Sequence, residues 1–204
     1  MYKYYRKAIT RAGLLGAVVV TSILTGCSEP VRPGVGDHWH VAYGFYVCDE
    51  YVGNLRGNLE ELDEEGKPVS KDFRIVGVHS HDDGLIHFHP YSGLAAGERA
   101  NLGLFLTMYG IGISNEQIDL PEYLGGMVLE NLTACTDDSG AQVDGELRVQ
   151  YWSDPSRPES FVTYTEDFDK VVLTEDLAAV AVVFGPAGVV APPPPSVGAA
   201  ITDM

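Results

Sequence analysis

Apolar and polar residues alternate with a period of two from Val76 to Phe88. That period marks a β-strand, whose successive side chains point to opposite faces. Asp82-Asp83-Gly84 breaks the alternation with the residue types a tight turn prefers, so the stretch reads as a hairpin. Its register decides which face every side chain takes. A two-residue Asp83-Gly84 turn would set His81 opposite Ile86 and mix polar and apolar groups on both faces. A three-residue Asp82-Asp83-Gly84 loop, a type I turn with Gly84 left-handed, sets His79 opposite His87 and His81 opposite Leu85. Val76, Val78, Ile86 and Phe88 then share one face with Ser80, while His79, His81, His87 and His89 share the other. The second register is preferred, because it gives a half-buried antiparallel sheet one apolar face.

The same periodicity organises the rest of the chain. From His38 to Val52, Trp39, Val41, Tyr43, Phe45 and Val47 alternate with His40, Ala42, Gly44, Tyr46 and Cys48, which predicts one long strand with His38 and His40 on one face. Asn101 is placed to cap a short helix over Leu102 to Tyr109, and Gly110 to end it. Ser114-Asn115-Glu116-Gln117 reads as the start of a one-turn helix. Further strands are expected at Met127 to Thr133, Glu146 to Trp152, Phe161 to Thr165 and Leu177 to Phe184, with turn-rich segments between them. The polar, acidic stretch from Gly53 to Asp72 reads as an exposed excursion and receives no function. The expected fold class is α+β, mainly antiparallel β with one or two short helices.

The N-terminal pattern predicts a domain outside the cytoplasm. Residues 1–26 read as an export signal: Lys3, Arg6, Lys7 and Arg11 with no acid, then an apolar run from Ala12 to Val20 too short to span a bilayer comfortably. Leu24-Thr25-Gly26-Cys27 resembles the lipobox of bacterial lipoproteins, whose cysteine is acylated and becomes the new N-terminus. The resemblance implies lipidation at Cys27 and a protein anchored in the lipid bilayer of the cell membrane, facing the extracytoplasmic side. A single N-terminal transmembrane anchor is the competing reading. Residues 27–36 suit a flexible tether, 37–185 a single histidine-rich domain, and 186–204, with Pro192-Pro193-Pro194-Pro195, an extended, disordered tail. The whole-chain charge of −16, with four of 13 basic residues in the signal, argues against nucleic acid as a partner and makes cations a better match.

Cys48 and Cys135 remain after the signal, and an oxidising compartment favours a disulfide between them. Cys48 shares the parity of His40, but eight residues along a straight strand is roughly 26 Å at about 3.3 Å per residue, too far for one ion. The alternative makes Cys48 a soft copper ligand.

All six histidines fall in three His-x-His pairs: His38 with His40, His79 with His81, and His87 with His89. Neutral imidazoles suit copper, zinc and nickel, whereas calcium and magnesium require oxygen. The expected cofactor is therefore a copper or zinc ion held by a subset of the six, including His79, His81 and His87. Protonation competes with coordination, so affinity is expected to fall below about pH 6.5. A metal-dependent hydrolase with Asp82 or Asp83 as base is a second reading. No His-Glu-x-x-His helix, nucleophile elbow or phosphate loop supports it, and both aspartates suit a turn. A third reading is an envelope interaction module without metal, its histidines sensing acid or docking a partner.

The run His79-Ser80-His81-Asp82-Asp83-Gly84-Leu85-Ile86-His87, followed by Leu102-Gly103-Leu104-Phe105 and Tyr109-Gly110, resembles an uncharacterised family of exported bacterial and archaeal proteins. Their pattern is an H-x-H pair, then H-[ST]-H-D-x-x-G-x-I-H, then L-G-x-F. The resemblance extends to His38-Trp39-His40 and to Asp167-Phe168-Asp169-Lys170-Val171-Val172-Leu173. It implies a shared fold and a shared histidine site, and no named substrate. His89 departs from the commoner form, in which an acidic residue often follows.

Overall fold

The computed structural model describes residues 31–136 and 139–202. The expected export signal and Cys27 lie outside the described residues. The chain runs through β1 (Trp39–Val47), β2 (Glu50–Tyr51), α1 (Phe73–Val76), β3 (Val78–His79), β4 (Leu85–Phe88), α2 (Leu102–Met108), β5 (Gln117–Asp119), β6 (Val128–Glu130), β7 (Ala134–Thr136), β8 (Gln142–Trp152), β9 (Val162–Tyr164), β10 (Ala179–Pro186) and α3 (Val197–Thr202). The class is the expected α+β, dominated by antiparallel pairing. The main sheet has the order β3-β4-β1-β10-β8-β7, with β2 added to β1 and β9 to β8. At its centre β1 runs parallel to β10.

Alternation along the central strands sorts their side chains between two faces. Val41, Tyr43 and Phe45 of β1, Ile86 and Phe88 of β4, and Val180, Val182 and Phe184 of β10 enter the larger core, together with Leu102, Phe105 and Leu106 of α2. Helix α2 forms where the sequence places it. The Asn101 side chain accepts the Leu104 amide at 2.8 Å, satisfying one of the donors a helix start leaves unpaired, and Gly110 follows the helix in the left-handed region.

The opposite face is lined at one end by small apolar residues: Ala42 of β1, Leu85 of β4, and Ala179, Ala181 and Val183 of β10. The C-terminal segment covers them, which differs from the disordered tail expected for 186–204. Ala191 donates its amide to Gln150 Oε1 at 2.8 Å, Tyr51 donates to the Pro192 carbonyl, and Ala191 and Ala200 are buried. Proline content misleads here because a proline-rich segment needs no hydrogen bonds of its own and can lie extended on a flat apolar face.

Three other expectations are adjusted. Val76 ends the short helix α1 rather than continuing a strand, and Gly77, left-handed at φ 68°, turns the chain into β3. Ser114 to Gln117 forms no helix: Ser114 Oγ accepts the amides of Glu116 and Gln117, the local alternative that serine offers the backbone, and the chain enters β5. The strand expected over Met127 to Thr133 stops at Glu130, and left-handed Leu132 separates it from β7. Cys48 and Cys135 form a disulfide with Cα atoms 5.5 Å apart, tying the end of β1 to β7.

Candidate metal centre

The register of the hairpin is the one that segregates the histidines. His79 pairs with His87 and Val78 with Phe88, while on the other side of β4 His40 pairs with His87 and Trp39 with Phe88. Residues in register on neighbouring strands share a face, so His40, His87 and His79 form a row across β1, β4 and β3. Ring centroids along the row are 4.8 Å apart for His40 and His87 and 5.2 Å for His87 and His79, close to the spacing of adjacent strands. His38 and His89 meet alongside the row, with centroids 3.9 Å apart, His38 against His40 and His89 against His79, and His81 lies 4.6 Å from His87. The six histidines thus form one patch on the second face of the sheet, beside the part that the C-terminal segment covers.

Strand β3 ends at His79, so the expected pairing of His81 with Leu85 does not form, and His81 reaches the patch from the connecting loop. The loop also departs from a type I turn. Gly84 is left-handed at φ 79°, as expected, but so is Asp82 at φ 63°. Asp83 fixes the arrangement: its Oδ1 accepts the Leu85 amide at 2.8 Å and its Oδ2 lies 3.0 Å from His87 Nε2. A carboxylate on one ring nitrogen orients the imidazole. Burial raises the Asp83 pKa, but hydrogen bonds from His87 and the Leu85 amide, with the His87 charge, outweigh it and hold the carboxyl well below its ordinary value.

Ser80, the one polar residue on the apolar face, is fully provided for. Its amide donates to the Tyr109 hydroxyl at 2.7 Å, that hydroxyl donates to the Ser80 carbonyl at 3.1 Å, and its own Oγ donates to Asp83 Oδ1 at 3.3 Å. Tyr43, which accepts the Leu55 amide, also contacts Ser80 Oγ at 3.3 Å. Burial pushes the Tyr43 hydroxyl up to about 12, so it remains protonated at neutral pH. These bonds tie the turn to β1 and α2, giving the histidines a rigid support.

His40, His79 and His87 are buried, whereas His38 and His81 are exposed and His89 is intermediate. Burial first, then the neighbouring imidazoles His81, His87 and His89, lowers His79 to about 3; burial, then His38, lowers His89 to about 4. Both are therefore neutral at pH 7, the form that coordinates metal. Among the described residues, two groups place their ligand atoms within 4.8 Å of one another: His38, His40 and His87; and His79, His81 and His87. His87 belongs to both. His89 joins neither group, although it lies against His38 and His79. Cys48 is taken up by its disulfide.

Sequence reasoning missed Glu60. The excursion from Gly53 to Asp72 folds back so that Glu60 Oε1 lies 3.5 Å from His79 Nε2 and Oε2 lies 3.6 Å from His81 Nε2. Nothing in its spacing marked Glu60 among the neighbouring acids. Asp82 and Asp83, considered alike from the sequence, differ in place: Asp82 is exposed, 3.7 Å from Arg56, and only Asp83 contacts a histidine. No family model, curated protein or solved structure matches the chain.

Proposed function

We propose that this protein is an extracytoplasmic lipoprotein, anchored in the membrane through acylated Cys27, that binds one transition-metal ion, copper or zinc, through its clustered histidines. The observation that carries the metal reading is the cross-strand row His40–His87–His79 with two three-histidine groups on it. Crowding three buried imidazoles side by side costs desolvation and, on protonation, mutual repulsion. A cation held by either group offsets both for the imidazoles that coordinate it. His79, His81 and His87 are the central ligands, with His38 and His40 forming a second group on the shared His87 and His89 lying against His38 and His79. Anchoring rests on the signal pattern and Leu24-Thr25-Gly26-Cys27. Among the described residues no helix is long and apolar enough to cross a membrane.

Elemental analysis of the purified protein, with calorimetric titration of copper and zinc into metal-free protein, tests the reading. Saturable binding at neutral pH that weakens in a His79→Ala/His81→Ala variant is expected. No saturable binding by the parent, or undiminished binding by the variant, refutes it. Cys27→Ser should release the protein from membranes, and retention after carbonate washing would overturn the anchor.

A further inference from the structure

Two atoms that each coordinate one ion at about 2.0–2.1 Å, in tetrahedral arrangement, stand about 3.3 Å apart. At the outer end of the histidine row three such separations occur together. His79 Nε2 is 3.1 Å from His81 Nε2, Glu60 Oε1 is 3.5 Å from His79 Nε2, and Glu60 Oε2 is 3.6 Å from His81 Nε2. The three side chains come from two parts of the chain, the excursion and β3 with its loop, yet each has a donor atom within 3.6 Å of the other two, Glu60 through one oxygen to each histidine.

The segment carrying Glu60 is held in place. Leu55 is fully buried and donates its amide to the Tyr43 hydroxyl at 2.8 Å. Past it, Asn58 Oδ1 accepts the Glu60 amide at 3.1 Å, Glu61 accepts the Val69 amide at 2.7 Å, and Leu62 bridges to Pro68. The excursion is a small folded arm whose acid meets the imidazoles, while Glu61, its neighbour, is exposed.

We propose that Glu60 is a metal ligand, completing with His79 and His81, and with His87 behind them, a mixed nitrogen–oxygen site for a divalent ion of the zinc class. This rests on the metal-binding reading above and narrows it. A hard anionic oxygen beside imidazoles favours divalent zinc over copper(I), which prefers soft donors, and it cancels one of the two charges the ion brings beside the buried His79. The arm joins the centre to the 53–72 segment, so loading the ion fastens the arm to the sheet.

The test titrates zinc into the full-length, metal-free protein by calorimetry, comparing the parent with Glu60→Gln, Glu61→Gln and His79→Ala/His81→Ala. Cobalt(II), whose visible absorption reports its ligand set, is the second probe. Glu60→Gln should weaken zinc binding at least the ~10-fold that even outer-shell changes cost, and alter the cobalt spectrum, while Glu61→Gln matches the parent in both. Glu60 is only half-buried, and circular dichroism checks that the variant folds. Parental affinity and spectrum in Glu60→Gln, with binding lost in the histidine variant, would overturn the role of Glu60 and leave the histidine site standing. Equal weakening by Glu60→Gln and Glu61→Gln would also overturn it, since that is general attraction by acidic charge. A parent that binds no zinc or cobalt would remove this proposal, and the wider reading would then rest on copper.

Discussion

Lowering the pH should destabilise the metal-free protein well before its carboxylates titrate, and His79 sets the size of the effect. In the folded state this imidazole is buried among other imidazoles and its pKa falls from 6.5 to about 3. In the unfolded chain it returns to the ordinary value. As pH drops through 6.5 the unfolded state therefore gains a proton that the folded state refuses, so stability present above pH 6.5 is lost progressively down to about pH 3. At about 1.4 kcal/mol per pKa unit the whole effect approaches ~5 kcal/mol, of which ~2 kcal/mol is gone by pH 5. His89, lowered to about 4 and less buried, acts in the same direction with a smaller, solvent-screened share. Asp83 is held below its ordinary value of 3.8, so its own loss begins only near that pH, below the range from pH 7 to 5. Urea unfolding in chelator, followed by the fluorescence of buried Trp39 and Trp152, measures stability at pH 7, 6 and 5. The parent should lose about 2 kcal/mol between pH 7 and 5, and His79→Gln, which cannot take the proton, should lose much less. An equal pH dependence in parent and variant, or a parent as stable at pH 5 as at pH 7, would refute this account of the buried row.

Other perturbations have equally definite outcomes. Phe88 is fully buried on the face opposite the histidines, so Phe88→Ala should cost about 3–5 kcal/mol in urea unfolding, and a cost under 1 kcal/mol would contradict the packing. Reducing the Cys48–Cys135 bond, which closes a sequence separation of 87, should lower stability by about 2–5 kcal/mol, and an unchanged urea midpoint would count against a structural role. Gly77→Ala would put a methyl group into the His89 carbonyl from a left-handed backbone, so its melting temperature should fall by several degrees, about 1–2 kcal/mol from the backbone conformation alone. Deleting residues 189–204 should uncover Ala42, Leu85, Ala179, Ala181 and Val183 and lower the melting temperature, whereas a tail that does not pack would leave it unchanged.

The hairpin shows how far alternation alone can reach. Only one register puts Val78, Ile86 and Phe88 together, and a one-residue slip would carry the whole apolar set to the other face, so the sequence determined that His79 and His87 share a face, while His81 joins them from the loop. The cap at Asn101, the helix after it and the α+β class were legible for the same reason: they depend on spacing and on local hydrogen bonds that neighbouring residues supply. Pairing between strands distant in sequence follows no local rule. That β1 lies beside β4, so that His40 faces His87, was decided by the sheet as a whole, and so was the centring of the patch on His87 rather than on either pair of the hairpin. The disulfide was expected from compartment and count, but only the fold brings Cys48 and Cys135 within bonding distance. Glu60 and the C-terminal segment were beyond sequence reasoning altogether. An acid in an acidic excursion and a proline-rich tail look solvent-exposed until tertiary structure supplies what they meet, a pair of imidazoles for one and an alanine-lined sheet face for the other.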